Sequence, residues 1–198
     1  MKQTSKRNEI IQAGREIIVR QGFNAAGLSN ILAAADIPKG SFYYYFKSKE
    51  DFGLAIIEDF STEYQEKLEK TINNDRLSPL QRLDSYFAIG QADMEDCGCV
   101  NGCLIGNLAQ ELAAQNEMFR DRINQTFLTW ERQFAACLEA AQASGELSSD
   151  IDSSQLAQFI LAGWQGAILK AKVARSTAPM QAFVDMLFQH IFHKSTPS

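Results

Sequence analysis

Between residues 4 and 193 of this 198-residue chain, apolar side chains recur at steps of three and four rather than alternating. A step of three to four places them on one face of a 3.6-residue turn, whereas a half-buried strand needs a step of two. The four prolines, Pro38, Pro79, Pro179 and Pro197, fall in connections, at helix starts or in the tail, where a missing N–H and a fixed φ do no harm. The pattern predicts an all-α fold of about nine helices, over residues 4–21, 28–35, 39–45, 49–72, 79–97, 100–114, 117–144, 154–174 and 179–193. Gly22 and Gly145 stop two of them, and Ser48-Lys49-Glu50-Asp51 reads as a capping box. Ser78-Pro79 supplies an N-cap followed by proline at the first helical position. Phe119, Ile123, Phe127, Trp130, Phe134 and Leu138 form one apolar stripe on the longest helix.

Hydrophobic residues make up 45% of the chain, enough for a buried core and too many for a disordered protein. No apolar run reaches the eighteen or so residues of a membrane span. The basic N-terminus lacks the apolar stretch of a signal peptide, so a cytoplasmic protein with reduced thiols is expected. The net charge of −5 is unevenly spread. Residues 1–52 carry eight Lys/Arg against five acids, and the remainder eleven against nineteen. A basic head on an acidic body suits a nucleic-acid reader. The expected division is a DNA-binding domain over residues 1–50 and a helical sensor and dimerisation domain over residues 51–198.

The segment Leu28–Phe46, LSNILAAADIPKGSFYYYF, has helix-turn-helix spacing: two short helices around Asp36-Ile37-Pro38. The reversal at Asp36 calls for positive φ, which aspartate tolerates better than most residues. Ala33, Ala34 and Ala35 permit close helix approach, and Phe42 and Phe46 read as core. Lys39, Ser41, Tyr43 and Tyr44 stand near the start of the second helix, where side chains reach the major groove or flanking phosphates. Gly22–Leu28 and the string KGSFYYYFKSKE at Lys39–Glu50 resemble the TetR family of repressors, with the likeness running from Ala13 through Leu54.

That resemblance implies a homodimer bound to a pseudo-palindromic double-stranded DNA operator, no cofactor and no enzymatic activity. It makes Lys39, Ser41 and Tyr44 candidates for base or phosphate contacts, and Tyr43 and Lys49 for phosphate. Gly27 and Ser29 would offer backbone N–H groups to phosphate. Two departures stand out. Gly27 replaces the usual Ser or Thr, removing a hydroxyl, and Asp36 and Pro38 replace the commoner Gly and Ser of the turn. For dimerisation the small residues Ala162, Gly163, Gly166 and Ala167 suggest close helix packing, with Phe159, Trp164, Phe183 and Leu187 beside them.

The remaining feature is Cys97-Gly98-Cys99-Val100-Asn101-Gly102-Cys103, with Cys137 later. Soft thiolates favour metal or metalloid ions, but no fourth ligand is near, since His190 and His193 are far along the chain, and no metal is assigned. Cysteine also packs as a small hydrophobe, the reading for Cys137. A third reading is thiol sensing, which needs an accessible thiolate favoured by a cation or helix N-terminus. Gly102-Cys103-Leu104 and the segment 169–176 resemble thiol-responsive members of the same family. This resemblance implies an electrophile or oxidant as inducer, Cys103 as the sensing thiol and Lys172 as its assisting amine. Cys97 or Cys99 would then be a resolving thiol. The alternative is reversible induction by a small apolar or cationic ligand among Phe87, Met94, Leu108, Phe127, Trp130 and Trp164. A helical enzyme lacks support: no nucleophile–base spacing or phosphate-cradling glycine loop is present.

Overall fold

The computed structural model describes residues 2–192, with side chains from Lys6 onward. Nine α-helices form among the described residues, with no strand: α1 Lys2–Gln21, α2 Leu28–Ala34, α3 Phe42–Tyr45, α4 Lys49–Lys70, α5 Pro79–Asp96, α6 Leu104–Leu112, α7 Glu117–Ala143, α8 Ser153–Ala174 and α9 Ala178–Met186. A tight 3-10 turn, Lys39–Ser41, leads into α3, and a wider π turn, Leu187–Ile191, follows α9. The last helix, expected to run to His193, is α-helical to Met186 and continues as the π turn; its expected last residue, His193, lies outside the described residues. No helix among them is long and apolar enough to cross a membrane.

Local chemistry explains most helix ends. Ser48 Oγ accepts from the Asp51 N–H at 3.1 Å, while the Asp51 carboxylate reaches back to the Lys47 N–H at 2.8 Å, so the box at the start of α4 is one residue wider than the usual form. At α5 the Gln81 side chain accepts from the Ser78 N–H, and Glu146 accepts from Ser78 Oγ and the Leu80 N–H. Asp152 caps α8 by accepting from the Gln155 N–H at 2.8 Å.

One element departs from expectation. The helix predicted from residue 100 begins only at Leu104, because Gly98, Cys99 and Gly102 all hold positive φ (61°, 55° and 72°). Left-handed residues cannot join a right-handed helix, so the stretch 97–103 is a loop.

The chain forms two compact units, one comprising residues up to Glu63 with Cys103–Gln125, the other Tyr64–Gly102 with the residues from Thr126 onward. The first gathers α1 to α3, most of α4, all of α6 and the start of α7. Its core includes Ile10, Ile18, Phe23, Ile31, Phe42, Phe52 and Ile56, each below 5% exposure. Gly14 of α1 leaves room for the Phe52 ring, which a Cβ would meet at 2.3 Å. Arg15 ties α1 to α4 through Asp59 and Glu63, both at 2.6 Å.

The second unit is an aromatic-rich bundle. Tyr64 stacks on Trp130 with centroids 4.1 Å apart, and its hydroxyl bonds that of Tyr86. Phe87 meets Trp164 edge-on at 4.9 Å. Gly90 and Gly163 admit the Trp164 and Phe183 rings, which added Cβ atoms would meet at 2.8 and 2.4 Å.

Candidate nucleic-acid interface and thiol loop

The interface is built on a reversal that the backbone itself satisfies. After α2, Asp36 takes φ 53°; its N–H donates to the Ala33 carbonyl (3.2 Å) and the Ile37 N–H to the Leu32 carbonyl (2.9 Å). These two bonds make a Schellman motif, and Ile37 is buried beneath it. Pro38 then starts the 3-10 turn, with the Ser41 N–H bonded to its carbonyl at 2.9 Å.

Aromatic packing fixes the face that α3 presents. Phe42, Phe46 and Phe52 interlock with centroids 4.9–5.7 Å apart, and each is almost wholly buried. Fully burying a ring of this size contributes about 1.5–3 kcal/mol, enough to hold a helix of one turn that could not stand alone. With Phe42 turned inward, Tyr43 and Tyr44 must turn outward, and they are 71% and 68% exposed. Lys39 is exposed beside them and Ser41 is half-buried. Gly27 is the N-cap of α2, with no side-chain cap, and Ser29, two residues on, is exposed. Lys49, at the start of α4, donates to the Asn24 carbonyl at 3.2 Å and lies over the Phe23 ring, 4.9 Å from its centroid.

Glu111 of α6 was not among the residues the motif suggests, yet it enters this unit directly. Its carboxylate oxygens accept from the Phe23 and Asn24 N–H groups, both at 2.7 Å. The sequence signal is a step of four: Cys103 at the N-cap, Asn107 and Glu111 on α6 and Gln115 in the turn beyond it fall in one line, while Leu104, Ile105, Leu108 and Leu112 are buried.

The thiol loop starts with a second Schellman motif at the end of α5: the Gly98 N–H bonds the Glu95 carbonyl (2.8 Å) and the Cys99 N–H the Met94 carbonyl (2.7 Å). Cys99 is 4% exposed, and Cys97 is half-buried with its thiol on the Met94 carbonyl. Lys172 of α8 donates to the Asn101 carbonyl at 3.3 Å. In the other unit Cys103 is the N-cap of α6 and half-buried. All four cysteines are outside disulfides, and no group of His, Cys, Asp and Glu among the described residues gathers as a metal site. Burial pushes the Cys137 thiol up to about 11, leaving it inert as the packing reading anticipates.

The small-residue patch on α8 divides. Gly163 faces Phe183, and Trp164 and Ala167 are buried within the subunit. Phe159, Ala162, Gly166, Leu169 and Val173, spaced 3-4-3-4, form the exposed seam instead. An expected cluster of four small residues is thus two residues on each of two faces.

A helix-turn-helix unit with an outward tyrosine pair, joined in one chain to a helical body, defines a DNA-binding regulator. The profile described as bacterial regulatory proteins, tetR family, matches residues 10–56, and that of the Tetracyclin repressor-like C-terminal domain matches residues 79–187. The transcriptional regulator AcuR of Cereibacter sphaeroides is 40% identical over 181 residues, 91% of this chain and 83% of the relative. The repressor DhaR of a Mycobacterium species is 32% identical over 96% of this chain and 93% of its own. The repressor NemR of Escherichia coli is 30% identical over 88% of each, and its reduced crystal structure superposes with a TM-score of 0.88 over 98% of this chain and 99% of that one. The chain belongs to the TetR family and is a transcriptional repressor, not an enzyme.

Proposed function

We propose that this repressor holds its operator as a homodimer through Lys39, Ser41, Tyr43, Tyr44 and Lys49, with the backbone at Gly27 and Ser29 on phosphate, and lets go when Cys103 is covalently modified. The observation that carries the thiol reading is the position of Cys103: half-buried at the N-cap of α6, the helix whose polar line reaches the reading head. The N-terminus of a helix is the kind of electropositive setting in which reactive cysteines are found. With an activated alkene, the Cys103 thiolate adds to the β-carbon, forming a C–S bond, and the resulting carbanion takes a proton from water. With hypochlorous acid, sulfur takes chlorine and hydroxide leaves; an amine that then displaces chloride and loses a proton gives an S–N bond, the role the family resemblance implies for Lys172. Cys97, more accessible than Cys99, is the better resolving thiol. The exposed seam on α8 is where we place the second subunit, which sets the half-site spacing.

The test uses the duplex that the wild-type protein selects from a random-sequence pool. N-ethylmaleimide or hypochlorite should release wild type and leave Cys103→Ser bound, and Lys172→Ala should blunt the hypochlorite response alone. Release of Cys103→Ser as readily as wild type would overturn the thiol reading and favour a reversible ligand.

A further inference from the structure

Helix α6 and the turn that follows it carry polar side chains, Asn107, Glu111 and Gln115, that address the end of α1 and the turn after it. Asn107 Nδ2 donates to the Val19 carbonyl at 3.4 Å, Glu111 accepts from Phe23 and Asn24, and Gln115 Oε1 accepts from Asn24 Nδ2 at 3.3 Å. The two bonds to Glu111 are short and charge-assisted, and each uses a different carboxylate oxygen. A carboxylate beside a helix C-terminus works against the helix dipole, so Glu111 is not placed there as a dipole partner. Its place is set by the two N–H groups. Gly22 makes the approach possible: it holds φ 84°, and a Cβ there would lie 2.9 Å from Glu111 Oε2.

On its other side the same turn seats Lys49. The Asn24 N–H bonds Glu111 while the Asn24 carbonyl accepts from Lys49 Nζ, and the Phe23 ring lies under the same ammonium. We propose that Glu111 is a positioning residue for DNA binding, fixing the α1–α2 turn so that the turn holds the Lys49 ammonium ready for phosphate. This rests on the reading of Lys49 as a phosphate contact. Because Cys103 heads the line that Glu111 belongs to, a shift of α6 unseats Lys49 without passing along α4.

Salt dependence of binding tests this, because each phosphate contact adds about 0.9 to the slope of log K against log salt. With the full-length protein and the selected duplex, Lys49→Ala should flatten the slope by about 0.9. Glu111→Ala should flatten it in the same direction, and the double variant should be no flatter than Lys49→Ala. Glu111→Gln keeps one carbonyl acceptor and should fall between; it also serves if the alanine variant does not fold. In Glu111→Gln the Phe23 and Asn24 amides should exchange faster with solvent deuterium, while that of Ile37 exchanges as in wild type. If Lys49→Ala flattens the slope and neither Glu111 variant does, the positioning role is wrong and the phosphate contact stands. If Lys49→Ala leaves the slope unchanged, both fall.

Discussion

Gly53 sits on α4 where Phe23 and Phe119 meet edge-on, with centroids 5.0 Å apart. Replacing it with alanine sets two effects against each other. Alanine in a helix interior is favoured over glycine by about 0.8–1.0 kcal/mol. The new Cβ would lie 2.6 Å from Phe23 Cε2 and 2.6 Å from Phe119 Cζ, against a comfortable carbon–carbon separation of about 3.5–4.0 Å. Two rings must therefore each yield by roughly an ångström. Neither has room, since Phe23 and Phe119 are 4% and 1% exposed. Overpacking of this kind costs about 1–3 kcal/mol, and two rigid rings place it in the upper half of that range. Sterics win, and Gly53→Ala should be destabilised by about 1–2 kcal/mol net. Thermal unfolding at fixed protein concentration should show a midpoint lower by about 2–8 °C. Phe119→Leu in the Gly53→Ala background should recover part of the loss, and operator affinity should fall with Gly53→Ala because Phe23 carries the seat of Lys49. A midpoint at or above wild type would mean instead that the rings step aside at less cost than the helix gains.

Tyr43→Ala with Tyr44→Ala should abolish binding to the selected duplex in a gel-shift assay while the unfolding free energy stays within about 0.5 kcal/mol of wild type, both rings being mostly exposed. Leu169→Glu in the α8 seam should leave the helical circular dichroism intact and convert the protein to monomer by sedimentation velocity, with operator affinity lost in parallel. For Glu146, partial burial disfavours the charged form, but hydrogen bonds from Ser78, Leu80 and Ser144, with Arg82 nearby, outweigh it and hold the carboxyl below its ordinary value of 4.5. A group depressed in the folded state contributes stability fully above the unfolded value, and the contribution is lost as pH falls through the lower folded one. Urea midpoints should therefore drop below about pH 4.5 more steeply in wild type than in Glu146→Gln.

What a few neighbouring residues can encode was legible along the chain. Helix spans follow from apolar spacing, the stop at Asp36 from its tolerance of positive φ, and the outward Tyr43-Tyr44 pair from the inward Phe42 and Phe46 on a single turn. All of these are settled by dihedral preference and side-chain period within a handful of positions. The later start of α6 is set by Gly102, because a glycine within a helical pattern takes either sign of φ and the pattern does not say which. Which residues distant in the chain meet depends on packing. Phe23 and Glu111 are 88 positions apart, and no local pattern pairs them. The same holds for α8, where adjacency in the chain groups Ala162 with Gly163 but packing against Phe183 turns one inward and leaves the other exposed. Small residues carry no polarity to mark a face, so the neighbour that fills the space against them makes the choice.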